Sequence, residues 1–260
     1  MNWRSCIIAL IVVTPVAHPA SAAVQTESVT QTGSGMAVAR LVASEASQIA
    51  TAEGLLGIFF DELVKTSPEV AVMAESYPGI DTVWTDTMRP ILHDEIRTHL
   101  PEYQQQLATL FQANMTAPQL NEMVKFYSSP TGQMVISKVA DGKSNKAVAK
   151  EVAAQVDEDP FSEKDIDISA QAMKADRQDA TLDMRRTATD AQRREIARFE
   201  MSPTGRKLAQ ILPQKQVIDL AWANRQPSPS AMERIDRDVP AAITAYIEKI
   251  GRQNAEKTSD

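Results

Sequence analysis

Apolar residues recur at helical spacing along most of the chain, and no stretch alternates apolar and polar residues as a half-buried strand does. In one segment Leu120, Met123, Val124 and Tyr127 stand at positions i, i+3, i+4 and i+7, which form one face of a helix. An earlier segment, 51–65, carries a similar stripe made of Leu55, Leu56, Phe59, Phe60 and Leu63. Such stripes usually belong to a core, although they also suit a groove for an apolar ligand or partner. The pattern predicts an all-α protein.

The segment 116–132 occurs twice, because 189–205 aligns with it without a gap at an offset of 73 positions. Eight of the 17 aligned pairs are identical, far more than chance would give. The identical pairs are Thr116/Thr189, Gln119/Gln192, Glu122/Glu195, Phe126/Phe199, Ser129/Ser202, Pro130/Pro203, Thr131/Thr204 and Gly132/Gly205. We interpret the two segments as copies of one duplicated unit.

Each copy has the local signals of a helix, a tight corner and a second helix. Thr116 with Gln119, and Thr189 with Gln192, have the spacing of a capping box, which predicts helices beginning at 117 and 190. The Ser-Pro step that follows ends each of these helices and starts another. This is because the residue before proline avoids the helical region, whereas proline suits the first helical position. The sequence therefore predicts a helical bundle built from two degenerate helix–corner–helix repeats.

The corner itself has a fixed order of residue types. Ser129 and Ser202 are predicted N-caps, and each is followed by a proline, Pro130 or Pro203. A glycine then falls in the first turn of the second helix in both copies, at Gly132 and Gly205. Close approach of a neighbouring helix accounts for such a glycine. An anion bound at the helix start is the alternative, but Gln133 follows one glycine and Arg206 the other, so the copies share no charge for it.

The segment F-Y-S-S-P-T-G, Phe126 to Gly132, follows a capped amphipathic helix. It resembles the F-Y-x-S-P-x-G core of the bacterial domain-of-unknown-function family 2059, whose members are exported and all-helical. The resemblance is best over 95–140 and weaker over 175–212, where Glu200 and Met201 replace an aromatic and a polar residue. It implies an exported helical protein. It implies no activity and no catalytic residues, because the family has none established.

Residues 1–22 have the three parts of a secretory signal. Arg4 gives the positive start, 6–13 form the apolar core, and Ala-Ser-Ala ends at Ala22. Cleavage after Ala22 predicts a periplasmic protein, and the alternative of an uncleaved anchor is disfavoured by an apolar run far shorter than the ~20 residues of a membrane span. Cys6 is the only cysteine, so a mature chain would contain no disulfide and no cysteine-ligated metal.

The formal net charge is −7, and removal of the signal makes it one unit more negative. An acidic chain is repelled by nucleic acids and by anionic lipid surfaces, so we expect no nucleic-acid partner. No apolar run after the signal is long enough to cross a membrane, so we expect no transmembrane segment after cleavage.

Composition and breaker residues divide the chain into segments. They are a signal peptide (1–22), a disordered leader (23–35), a helical region (36–155) with the first repeat, a linker (156–162), a helical region (163–225) with the second repeat, a linker (226–230) and a C-terminal helix (231–252). Within these regions we expect a helix boundary at Pro101 and a helix that begins at Ser162, capped together with Asp165.

Candidate catalytic groups are scarce. The mature chain has two histidines, His93 and His99, whose spacing does not match the H-E-x-x-H pattern of zinc enzymes. Glu95 and His99 are neighbours at i, i+4 and could share a metal, but a surface pair is the simpler interpretation. The tripeptide 142–144, G-K-S, imitates the end of a phosphate-binding loop, but Ser137 stands where that motif requires glycine. We therefore predict no cofactor and assign no catalytic or metal-binding residue.

Two functional hypotheses follow. The first is an exported, non-catalytic protein that works by contact with itself, with a protein partner in the cell envelope or with an apolar ligand; a chaperone-like activity belongs to this class. The second is a hydrolase or metal-dependent enzyme that uses His93, His99 and nearby carboxylates. The apolar stripes and the scarcity of catalytic residue types favour the first hypothesis.

Overall fold

The computed structural model of the protein describes residues 28–140, 145–158 and 167–257. Its helices are α1 (Ser28–Val42), α2 (Glu45–Thr66), α3 (Pro68–Ser76), α4 (Ile80–Asn114), α5 (Ala117–Tyr127), α6 (Pro130–Ala140), α7 (Lys146–Glu158), α8 (Ala170–Thr187), α9 (Asp190–Met201), α10 (Pro203–Ala223) and α11 (Pro229–Lys257). These residues contain no strand, so the prediction of an all-α protein is confirmed. The predicted signal peptide lies outside the described residues.

Helix α4 is the axis of the fold, because its 35 residues take part in two separate hydrophobic cores. The first core surrounds Trp84 and combines the first half of α4 with α2, α7 and α11. The second core surrounds Phe111 and combines the second half of α4 with α1, α5 and parts of α9 and α10. Side chains such as Trp84 and Phe111 are almost completely buried, and each contributes about 2 kcal/mol by leaving water.

The predicted helix boundary at Pro101 is wrong, because α4 continues through both Pro90 and Pro101. A proline inside a helix removes a hydrogen bond and costs about 3 kcal/mol. Leu100 and Tyr103, on either side of Pro101, are buried in the second core. Burial of this apolar surface offsets the local cost, so packing outweighs the breaker signal.

Two other predicted boundaries differ from the structure. Helix α1 begins at Ser28, inside the predicted disordered leader, and at Gly35 it lies so close to α4 that a Cβ would be 3.0 Å from the Ala108 carbonyl oxygen. Helix α7 runs through Glu158, into the predicted linker 156–162, whose remaining residues lie outside the described ranges. Both helices thus include residues whose polar composition indicated a leader or a linker.

The helices α8 and α11 are also capped by serines that the sequence analysis did not predict as caps. Ser169 caps α8 by accepting from the Ala172 N–H, whereas the predicted cap at Ser162 lies outside the described residues. Ser228 caps α11, and Pro229 follows it at the first helical position, so the predicted linker 226–230 ends earlier and the helix extends to Lys257. Ser228-Pro229 is thus a Ser-Pro helix start like those of the two repeats and of α3 at Ser67-Pro68, although the sequence interpretation placed it in a linker.

The helix pairs α5–α6 and α9–α10, which contain the two similar segments, pack against each other through matching positions. The rings of Phe126 and Phe199 stack with their centroids 4.1 Å apart and their planes 1° from parallel. The Thr131 hydroxyl donates a hydrogen bond to the Glu195 carboxylate. Reciprocally, the hydroxyl of Thr204 donates to Glu122. A twofold axis between the two helix pairs would produce these paired contacts. They are also expected if a unit that associated with its own copy was duplicated.

The glycines at the two corners allow each corner to fold back on its own first helix. A Cβ at Gly132 would lie 2.0 Å from the carbonyl oxygen of Phe126, and one at Gly205 would lie 2.1 Å from that of Phe199. The N–H groups of both glycines donate to the hydroxyl of the capping serine three residues before. These N–H groups are therefore already bonded, which leaves the corner less suited to an anion.

The reciprocal threonines provide a test of this arrangement. Replacing either Thr131 or Thr204 by valine should lower the free energy of unfolding by about 1 kcal/mol, because each variant removes one hydrogen bond from a buried hydroxyl. The control is Thr109→Val, since the exposed Thr109 hydroxyl bonds only within its own helix. Urea unfolding of the three variants measures the effect. A cost at only one of the two positions would contradict the symmetric packing.

Candidate functional site

A cavity of about 420 Å³ lies where the two cores meet. Its walls come from α2, α4, α6, α8 and α10, together with the ends of α1 and α5 and the N-terminal part of α7. Leu92 and Val148 of the first core line it on one side, and Phe111 and Met123 of the second core on the other. The cavity is therefore a consequence of joining two separate cores along one long helix.

One face of α10 runs along the whole cavity. The lining residues on this helix are Leu208, Leu212, Lys215, Asp219, Trp222 and the last residue, Ala223. The first five have a spacing of i, i+4, i+7, i+11 and i+14, which keeps them on one side of the helix. Because a helix rises 1.5 Å per residue, this face is about 21 Å long. The cavity thus has an apolar end near Leu208 and a polar end near Trp222.

The apolar end reaches the protein surface. Val139 of α6 and Leu212 of α10 both line the cavity, and they are 52% and 38% exposed. Apolar side chains make up most of the remaining wall. Among them are Val42, Leu55, Leu92, Ile96, Val135, Ile136, Ile168 and Met173. Tyr127, from the predicted motif, also lines the cavity, and burial raises the pKa of its phenol to about 12. We call the exposed pair Val139 and Leu212 the mouth of the cavity.

A buried carboxylate, Asp219, organises the polar part of the wall. It accepts hydrogen bonds from the Tyr103 hydroxyl at 2.8 Å, from Arg177 Nη2 at 3.2 Å and from Lys215 Nζ at 2.7 Å. Burial, together with the Asp219 charge, raises the pKa of Tyr103 well above its ordinary value, so Tyr103 stays protonated and acts as a donor. The Tyr103 ring also stacks on Trp222, with centroids 4.7 Å apart. This network ties α4, α8 and α10 together.

A second buried carboxylate, Asp176 of α8, caps α7. Its two oxygens accept hydrogen bonds from the N–H groups of Ala147 and Val148, at 2.8 and 3.0 Å. Burial raises the pKa of Asp176, although the two backbone bonds partly oppose this shift. A carboxylate at a helix N-terminus is also favoured by the helix dipole. Asp176 therefore has a structural role in the cavity wall.

The polar end of the cavity contains Arg225, whose guanidinium lies over the Trp222 ring, 4.4 Å from its centroid. Its Nε and Nη1 atoms are buried and have no hydrogen-bond partner among the described residues. Burial lowers the pKa of Arg225 to about 10, which still leaves it charged at neutral pH. The adjacent Glu95 carboxylate is bonded instead to Ser228, whose N–H and hydroxyl donate to it at 2.9 and 2.5 Å.

The two histidines of the enzyme hypothesis pair with different carboxylates. His93 Nε2 lies 3.1 Å from Glu53 Oε1, whereas His99 Nε2 lies 3.7 Å from Glu95 Oε2 and makes no hydrogen bond to the described residues. Burial, together with the positive charge of Arg225, lowers the pKa of His99. In the part of the chain that the structure describes, no group of three or more histidine, cysteine or acidic side chains could hold a metal ion.

The residues of the predicted motif have other positions. Phe126 and Phe199 lie in the second core, and of the thirteen motif residues only Tyr127 is in the cavity wall. The remaining motif residues form the helix caps and corners: Thr116, Gln119, Ser129, Pro130, Gly132, Thr189, Gln192, Ser202, Pro203 and Gly205. The G-K-S tripeptide at 142–144 lies outside the described residues.

The sequence alone did not indicate the charged residues of the cavity. Arg177 lies 42 residues before Asp219, and only the i, i+4 spacing of Lys215 and Asp219 offered a local signal. That spacing is common on exposed helix faces, so it did not indicate burial.

None of the described helices combines the length and apolar character needed to cross a membrane. Residues 102–141 match the model of a protein family described as "Uncharacterized protein conserved in bacteria (DUF2059)". This match confirms the resemblance found from the F-Y-S-S-P-T-G segment, and it spans the second half of α4, α5 and α6. No curated protein and no solved structure matches the chain significantly.

Proposed function

We propose that the protein is an exported, non-catalytic binding protein that holds an apolar ligand in the cavity between its two cores. The observation that carries this proposal is a cavity of about 420 Å³ with a largely apolar wall and a mouth formed by Val139 and Leu212. Small-molecule sites typically have about 300–1,000 Å³ and a mostly apolar wall with few polar groups. The cavity has both properties.

The secretory signal predicted over 1–22 supports a location in the periplasm. A carrier for an apolar molecule is useful in an aqueous compartment, because such a molecule dissolves poorly in water. The mature chain has no cysteine and is stabilised by its two cores, so it needs no oxidative folding.

The enzyme hypothesis has less support from the geometry. His93 and His99 contact separate carboxylates, and the buried carboxylates of the cavity wall are bonded to neighbouring protein groups. Contact with a protein partner or with a second copy remains the other candidate from the first class. For a chaperone-like protein, the cavity would accept an apolar side chain of the client.

The proposal is tested by filling the cavity. Ala180 lies in its wall and is 3% exposed, so Ala180→Phe should occupy part of its volume. The neutral fluorophore N-phenyl-1-naphthylamine should bind the mature protein, and the variant should weaken binding by about tenfold, equivalent to 1.4 kcal/mol. Val217→Phe is the control, because Val217 is 69% exposed and does not line the cavity.

Circular dichroism would establish that each variant is folded. If Ala180→Phe is not, Leu212→Lys at the mouth replaces it, since a charge there should also weaken binding of the fluorophore. Failure of the mature protein to bind the fluorophore would contradict the proposal. Equal binding by a folded cavity variant and by the control would do the same.

A further inference from the structure

We infer that the ligand is an amphiphile, an acyl chain with one anionic head group, and that Arg225 binds the head. The inference rests on the proposed function and assigns the chemical class of the ligand. The head group could be a carboxylate or a phosphate, because the guanidinium of arginine binds both.

Arg225 differs from the other charged side chains in the cavity wall, each of which has a direct partner. Arg177 and Lys215 both form ion pairs with Asp219. Asp176 accepts its two bonds from the N-terminus of α7, and Glu95 accepts two from Ser228. The guanidinium Nε and Nη1 atoms of Arg225 make no hydrogen bond, and the guanidinium forms no ion pair, among the residues whose side chains the structure describes. The polar end of the cavity thus carries one positive charge without a direct partner.

The surroundings of Arg225 strengthen its attraction for an anion. Its stacking on Trp222 fixes the guanidinium plane, and burial removes much of the water that would otherwise screen its charge. Glu95 and Glu102 act on Arg225 electrostatically but form no ion pair with it. The buried edge of His99 makes no hydrogen bond to the described residues and adds no negative charge. An anion beside Arg225 would therefore supply the direct pairing that the described part of the protein does not.

The position of Arg225 also orients the ligand. Arg225 lies just beyond the end of α10, near Trp222, whereas Leu212 and Leu208 stand about 15 and 21 Å from Trp222 on the same lining face, at 1.5 Å per residue. A head group held at Arg225 would direct its acyl chain along this face toward the mouth. Most side chains on this path are apolar, and the charges of Lys215 and Asp219 neutralise each other. The wall therefore suits a chain with charge at one end only.

The inference is tested with three ligands of equal chain length: dodecanoate, dodecyl phosphate and dodecanol. Isothermal titration calorimetry would measure the Kd of each for the mature protein, for Arg225→Gln and for the control Arg237→Gln. Arg237 is an exposed residue paired with Asp238, outside this cavity. We expect Arg225→Gln to weaken binding of at least one anion about tenfold or more and to change dodecanol binding less than about twofold.

Each outcome has a defined meaning. An anion loss in Arg225→Gln with dodecanol binding unchanged supports the inference, and the anion that loses more is the preferred head group. Equal losses for all three ligands, or no loss for either anion, would overturn the role of Arg225 but leave the apolar binding site in place. If the mature protein binds none of the three, the proposed function fails as well. Dodecanol binding by Arg225→Gln also establishes that this variant is folded.

Discussion

Replacing Gly132 or Gly205 by alanine is expected to lower the free energy of unfolding by about 3 kcal/mol, although the substitution adds only one methyl group. A Cβ at Gly132 would lie 2.0 Å from the Phe126 carbonyl oxygen and 2.6 Å from the Tyr127 Cα. These are backbone atoms, which cannot move aside as a flexible side chain can. The corner would have to open, and the adjacent stacking of Phe126 on Phe199 would be disturbed. Urea unfolding of the mature protein measures the loss.

Gly57→Ala is the matched control for both corner variants. Gly57 lies inside α2, and a Cβ there would meet nothing within 4 Å. Alanine is favoured over glycine in a helix by about 1 kcal/mol, so this variant should be neutral or more stable. If the corner variants were as stable as Gly57→Ala, this would contradict the close contact between each corner and its own first helix.

Replacing Asp219 by asparagine is expected to lower the free energy of unfolding by about 3 kcal/mol. Asp219 is 7% exposed and is the acceptor for Tyr103, Arg177 and Lys215. Without its charge, two partly buried cations would lie side by side with no counter-charge. The substitution keeps the size of the side chain, so the loss would measure charge pairing rather than packing.

Asp183→Asn is the control for this prediction. Asp183 also pairs with a lysine, Lys138, at 2.8 Å, but its side chain is 50% exposed. Exposed ion pairs contribute between about 0 and 1 kcal/mol, so this variant should unfold almost as the unmodified protein does. Thermal or urea unfolding of both variants gives the comparison. Similar small losses for the two would show that the Asp219 network contributes little to stability.

Local signals in the sequence located several helix starts. The Thr-Gln capping boxes and the Ser-Pro steps depend on residues close together in the chain, and α5, α6, α9 and α10 begin where these signals place them. Pro101 was misleading because its local cost is offset when Leu100 and Tyr103 are buried in the second core, and the sequence does not show that burial. Ser228-Pro229 carried the same signal as the repeats but was hidden among other prolines.

The candidate site was less accessible to prediction than the fold. The apolar stripe containing Leu55 was recognised as suited to a core or a groove, and the structure places Leu55 in the cavity wall. Arg225 and Glu95 are separated by more than a hundred residues. They line the same cavity only because α10 and α4 pack together. A lone arginine after a helix is common in sequences. Only its burial and its lack of a direct partner among the described residues single it out.

The most direct test of the central claim, that an acyl chain lies in the cavity, uses Trp84 and Trp222, the two tryptophans among the described residues. Trp222 lines the cavity, whereas Trp84 is 1% exposed inside the first core and does not. In protein prepared without residues 1–22, which contain Trp3, Trp84→Phe leaves Trp222 as the only tryptophan, and Trp222→Phe leaves Trp84. Fatty acids brominated along the chain should quench the fluorescence of Trp222 strongly and that of Trp84 weakly. Absence of Trp222 quenching, or equal quenching of both, would contradict the account.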